Sequence, residues 1–124
     1  MTYAIGRPSF HDWVVLCFAA PRGRQVVYIV EFEDGIAKVG QSRDFETRIR
    51  AHCSSPRTRG KKMLRFWHVE SSAALEHEQV LLRLAGELGG TRWMNGREWF
   101  TGVDGLALIA AAERELLEPK ELAA

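Results

Sequence analysis

The chain has 124 residues, 46% of them hydrophobic, and a formal net charge of +1. That length suits one domain with a small but real core, and no window reaches the roughly 18 apolar residues of a membrane helix. Cys17 and Cys53 have no CxxC partner, which speaks against a disulfide scaffold or a cysteine zinc site and fits reduced thiols in a cytoplasmic protein.

Residues 1–24 read as an N-terminal extension of unassigned role. Its apolar run, Trp13 to Phe18, fits a buried strand or a short helix, and periodicity does not separate the two. An Asp and a His precede the run and arginines follow it, unlike a cleaved signal. Residues 25–124 read as one domain. Gln25 to Phe32 is rich in Val, Ile, Tyr and Phe and predicts a strand, apolar on both faces. Glu33-Asp34-Gly35 predicts a hairpin turn, because Asp-Gly supplies positive φ. Ile36 to Val39 is the return strand, ended by Gly40.

Asp44 is placed to cap a helix reaching about Cys53, with Phe45, Ile49 and Cys53 on its buried stripe and Arg48 and His52 on a second face. Ser54 to Gly60 is a basic loop, and Met63 to Val69 a third strand. Ser71 or Ser72 caps a helix running to about Leu88, stopped by Gly89-Gly90. Gly96 to Phe100 is a short apolar turn or strand. A last helix runs from about Asp104 to before Pro119, with a stripe of Leu106, Ile109, Ala110, Glu113, Leu116 and Leu117. The expected fold is a small α/β domain, with a mainly antiparallel three-stranded sheet flanked by helices.

The near-zero net charge hides an asymmetry. Between Arg43 and Arg65 eight cations meet two acids, while the rest of the chain is acidic. Arg43, Arg50, Arg57, Arg59, Lys61 and Lys62 are therefore candidate contacts for a polyanion. The hairpin sets Tyr28 and Lys38 on neighbouring strands. Gly40 lets backbone come close to whatever binds there. Arg48 and His52 look back over the sheet from the following helix. Convergence of four such groups beside a basic loop points to a site. His68 and His77 read as ordinary strand and helix residues. His77-Glu78 lacks the second His of HExxH. Trp93, Trp99 and Phe100 read as core beneath the last helix, with base stacking as the alternative.

This stretch resembles the GIY-YIG nuclease superfamily. Val26-Val27-Tyr28 stands for its first motif and Lys38-Val39-Gly40 for its second. Arg48 follows Gly40 by the family's spacing of eight, and His52 follows Arg48 by four. Glu98-Trp99-Phe100 resembles the ending of a short phage and bacterial branch whose second motif is KxG. The likeness covers about Val26 to Phe100. It implies that Tyr28 activates or orients a water, Arg48 holds the phosphate, and a helix Glu binds one divalent cation, Mg²⁺ or Mn²⁺. Lys38 stands where the superfamily has Tyr, and would neutralise the phosphate or lower the pKa of Tyr28. No residue is assigned to the family's late Asn. Glu78 is the favoured metal ligand because it heads the apolar face of its helix; Glu76 is the alternative.

The expected function is a divalent-metal-dependent DNA endonuclease, with RNA as the alternative substrate. So short a chain would draw specificity from a homodimer or a partner protein. Two alternatives are a catalytically silent nucleic-acid-binding module on the same fold, and a domain binding some other anion through Lys38 and Arg48.

Overall fold

A computed structural model describes residues 23, 25–53, 60–92 and 98–116. In chain order these form β1 (Val26–Phe32), a 3₁₀ turn (Glu33–Gly35), β2 (Ile36–Ser42), α1 (Phe45–Cys53), β3 (Met63–Glu70), α2 (Ala74–Glu87), β4 (Thr91–Arg92), β5 (Trp99–Thr101) and α3 (Gly105–Leu116). Trp13–Phe18, Trp93, Arg57, Arg59 and Leu117, singled out from the sequence above, lie outside the described residues.

The α/β class is as expected, but the sheet has five strands, not three, all pairing antiparallel in the order β3-β1-β2-β5-β4. The two extra strands have two and three residues, too few to show a period of two. β2 also runs through Gly40 to Ser42, because Val26, Val27 and Tyr28 continue the ladder opposite Ser42, Gln41 and Gly40. The turn between β1 and β2 takes positive φ at both Asp34 (66°) and Gly35 (72°), as the Asp-Gly pair predicts.

Alternation along the strands divides the core into two layers. Val26, Tyr28, Val30 and Phe32 pack with Phe45 and Ile49 of α1 and with Phe66 and Trp99. Val27, Ile29, Ala37 and Val39 face the other way, onto Leu81, Leu84 and Ala85 of α2 and Leu108 and Ile109 of α3. The sheet is thus covered on both faces, which explains the unbroken apolar reading of β1.

Asp44 caps α1 as predicted: its Oδ1 accepts the Thr47 N–H at 3.2 Å, and its Oδ2 accepts the Thr47 hydroxyl at 2.8 Å. The start of α2 differs. Its N-cap is Ala73, without a side-chain bond, and Ser71 acts two residues outside, accepting the Ala73 N–H at 3.1 Å. The buried stripe of α3 differs too. Leu108, Ile109, Ala111 and Ala112 are buried, whereas Leu106 is 46% exposed. In an alanine-rich helix, small residues mark the packed face as well as leucines do, and close approach to the sheet selects them.

Candidate active site

Tyr28 leaves β1 on the α1 face, where its cross-strand partner is Gly40. A Cβ built on Gly40 would lie 2.5 Å from the phenol oxygen and 2.6 Å from Cζ. The ring therefore lies across this glycine. The room that the sequence assigns to a bound ligand is occupied by Tyr28 itself, so Gly40 acts by admitting the phenol, not by baring backbone. Phe45 packs against the same ring, 5.4 Å between centroids.

The phenol oxygen sits 2.7 Å from Nε2 of His52, which comes from the last turn of α1. Both groups are buried. Burial raises the Tyr28 pKa well above its ordinary value of 10, and the opposing pull of the Arg48 guanidinium does not overcome it. Burial, with Lys38 and Arg48 nearby, lowers His52 to about 4. Near neutral pH the pair is a protonated phenol and a neutral imidazole, joined by a hydrogen bond between the phenol oxygen and Nε2. Trp99 closes the far side of this ring edge-on at 5.5 Å.

Lys38 projects from β2 on the same face as Tyr28. Its Nζ is 3.2 Å from Oε1 of Glu98 and 5.8 Å from the Trp99 ring centroid. Burial lowers its pKa while Glu98 pulls the other way. Glu98 arrives just before β5, held there by its carbonyl, which accepts the Val39 N–H at 2.9 Å.

Glu78 belongs to α2, on the opposite side of the sheet, and reaches the others round the margin where β5 begins. It is 7% exposed, and Gln41 Nε2 donates to its Oε1 at 3.5 Å. Burial pushes the Glu78 pKa up to about 7, helped by a hydrogen bond to Glu98 and by that residue's charge. Burial alone would raise Glu98 too. The bond from Glu78, then Lys38 and Arg48, hold it below the usual carboxylate value. Below about pH 7 the two carboxyls therefore share one proton, held on the Glu78 side.

Tyr28, Lys38, Gln41, Arg48, Glu78 and Glu98 line one cavity of about 240 Å³. The structure brings together Tyr28, Lys38, Arg48 and Glu78, with His52 behind the phenol. Glu76 is exposed elsewhere on α2. Arg43, Arg50 and Lys62 are exposed, while Lys61 pairs with Asp34 at the hairpin tip.

Glu98 and Gln41 are the residues the sequence reading left without a role. Glu98 is visible in it only as part of Glu-Trp-Phe; Gln41 lay past the expected strand end. No group of three or more His, Cys, Asp or Glu able to hold a metal occurs among the described residues. The donors present, two adjoining carboxylates, are hard oxygens that suit Mg²⁺ or Mn²⁺. Such ions take one or two carboxylates and complete their shell with water and phosphate oxygens.

Among the described residues no helix is long and apolar enough to cross a membrane. Comparison of the chain with protein-family models, curated proteins and solved structures gave no match.

Proposed function

We propose that the chain is a GIY-YIG-like endonuclease that hydrolyses phosphodiester bonds in DNA with one divalent cation, Mg²⁺ or Mn²⁺, held by Glu78. The observation that carries this reading is the single cavity in which a phenol, an ammonium, a guanidinium and two carboxylates converge. Each matches one demand of phosphodiester hydrolysis. Arg48 grips the phosphate with its planar fork. Lys38, already beside Glu98, offsets the charge that builds on the phosphate oxygens. Tyr28 orients the attacking water, its phenol held in place by the hydrogen bond to Nε2 of His52. The cation, when bound, supplies charge relief at the leaving oxygen.

The test is nicking of supercoiled plasmid. Nicking that requires Mg²⁺ or Mn²⁺, stops in EDTA, and falls at least about 100-fold in Arg48→Ala and Glu78→Ala supports the proposal. Undiminished nicking in both variants refutes it. A second reading, a silent nucleic-acid-binding module, draws support from the protonated state of Tyr28, which is not a ready base. A salt-sensitive gel shift without any nicking would favour it.

A further inference from the structure

A second cavity, of about 450 Å³, adjoins the first across Gln41. Its walls include Gln25, Gln41 and Arg43 on one side and Glu70, Ser71 and Ser72 on the other. A directed series of hydrogen bonds runs along the first wall. Arg43 Nε donates to Gln25 Oε1 at 3.2 Å. Gln25 Nε2 donates to Gln41 Oε1 at 2.9 Å. Gln41 Nε2 donates to Glu78 Oε1.

This direction has a chemical consequence. Both amide oxygens are engaged along the series. Each amide nitrogen keeps a second proton, and the Arg43 guanidinium keeps its terminal N–H groups. The wall nearest the phosphodiester cavity therefore presents donors. Opposite, the exposed Ser72 hydroxyl can donate or accept, while the Ser71 hydroxyl is already engaged with the Ala73 N–H and His77 Nδ1. A ligand rich in acceptors, with one or two donors on its far edge, suits such walls. At about 450 Å³ the cavity has room for an occupant larger than a phosphate.

We propose that this cavity is a subsite for the nucleoside next to the scissile phosphate. Arg43 and the amides of Gln25 and Gln41 contact its acceptors, and Ser72 faces its other edge. Paired Gln and Arg side chains are the usual readers of base edges. Because Gln41 also donates to Glu78, occupancy of the subsite is linked to the position of the cation-binding carboxylate. Gln41 is a positioning residue in this scheme.

The subsite rests on the phosphodiester reading, and the experiment separates the two. Thymidylyl-thymidine and inorganic phosphate are titrated into the protein in EDTA. Side-chain amide resonances of Gln25 and Gln41 and the Arg48 Nε–H are followed by NMR. The dinucleotide is expected to bind about tenfold tighter than phosphate, the worth of one or two net hydrogen bonds, and to move the Gln25 and Gln41 amides. Ser72→Trp, which fills the cavity from an exposed position, should bring the dinucleotide down to the affinity of phosphate, and Gln25→Ala should do so in part. Equal binding of the two ligands at Arg48, with Gln25 unmoved, overturns the subsite and leaves the phosphodiester site standing. No response of Arg48 to either ligand overturns both.

Discussion

Gly40 and Tyr28 act as one unit, so changing either has a defined effect. A methyl group at Gly40 would meet the phenol oxygen at 2.5 Å, and the ring cannot retreat because Phe45 and His52 enclose it. Gly40→Ala should cost about 1–3 kcal/mol of stability in denaturant unfolding and lose nicking with it. Tyr28→Phe removes only the hydroxyl; it should abolish nicking while DNA affinity stays within a few-fold. Full nicking in that variant would take the phenol out of the mechanism. Glu78 allows a pH test. Its pKa is raised to about 7, so the proton must leave for a cation to bind, and cation affinity should rise as pH rises through that value. Calorimetric titration with Mn²⁺ at about pH 6 and about pH 8 should show affinity falling close to tenfold per pH unit on the acid side. Glu78→Gln should remove that dependence. The sequence revealed Tyr28, Lys38, Arg48 and His52 because one hairpin and the helix after it carry all four. It gave Glu98 no role, since that carboxyl reaches Lys38 through a backbone bond to Val39 across a long chain separation.

Element boundaries were legible where local chemistry fixes them. The Asp34-Gly35 turn and the Asp44 cap need no tertiary partner, and both occur where predicted. β4 was not legible and β5 was legible only as a turn or a strand, because elements this short exist through pairing alone: Thr91 opposite Thr101, and Trp99 opposite Lys38. The docking of α3 was equally hidden. Glu31, a charged residue in an otherwise apolar strand, is 5% exposed. It pairs with Arg65 of β3 at 2.5 Å, and its other oxygen accepts the Gly105 N–H at the start of α3 at 2.8 Å. One carboxylate therefore ties two strands to a helix N-terminus, where a negative charge is favoured. Glu31→Gln keeps the size and loses the charge. It should destabilise the fold by about 2 kcal/mol in urea unfolding, more than a surface change, because Arg65 is left largely buried without its partner. An unchanged urea midpoint would mean that apolar packing alone holds α3.

Across the whole molecule, two apolar layers enclose polar groups, and these set its response to acid. His68 is 1% exposed, cross-strand from Tyr28, with its ring 4.5 Å from Phe45 and stacked on Phe66. Neither ring nitrogen has a hydrogen-bond partner among the described residues. Burial lowers its pKa from 6.5 to about 4, and His52 is lowered to a similar value. The unfolded chain therefore binds protons at both histidines before the folded one does. Their contribution to stability is fully present above about pH 6.5 and is lost as pH falls towards 4. Glu78 works in the opposite sense over part of this range, since its folded pKa is raised. A comparison with a single variant isolates one histidine from these offsetting groups. His68→Phe keeps the ring between Phe45 and Phe66 and removes two unsatisfied nitrogens. Near pH 7 it should stabilise the fold by about 1 kcal/mol. Its advantage over the parent chain should widen as pH falls from 6.5 to 4, because the variant has no imidazole to protonate. Urea unfolding at several pH values across that window measures the difference. A constant gap between the two proteins would mean that His68 keeps an ordinary pKa, with water reaching the layer between α1 and the sheet.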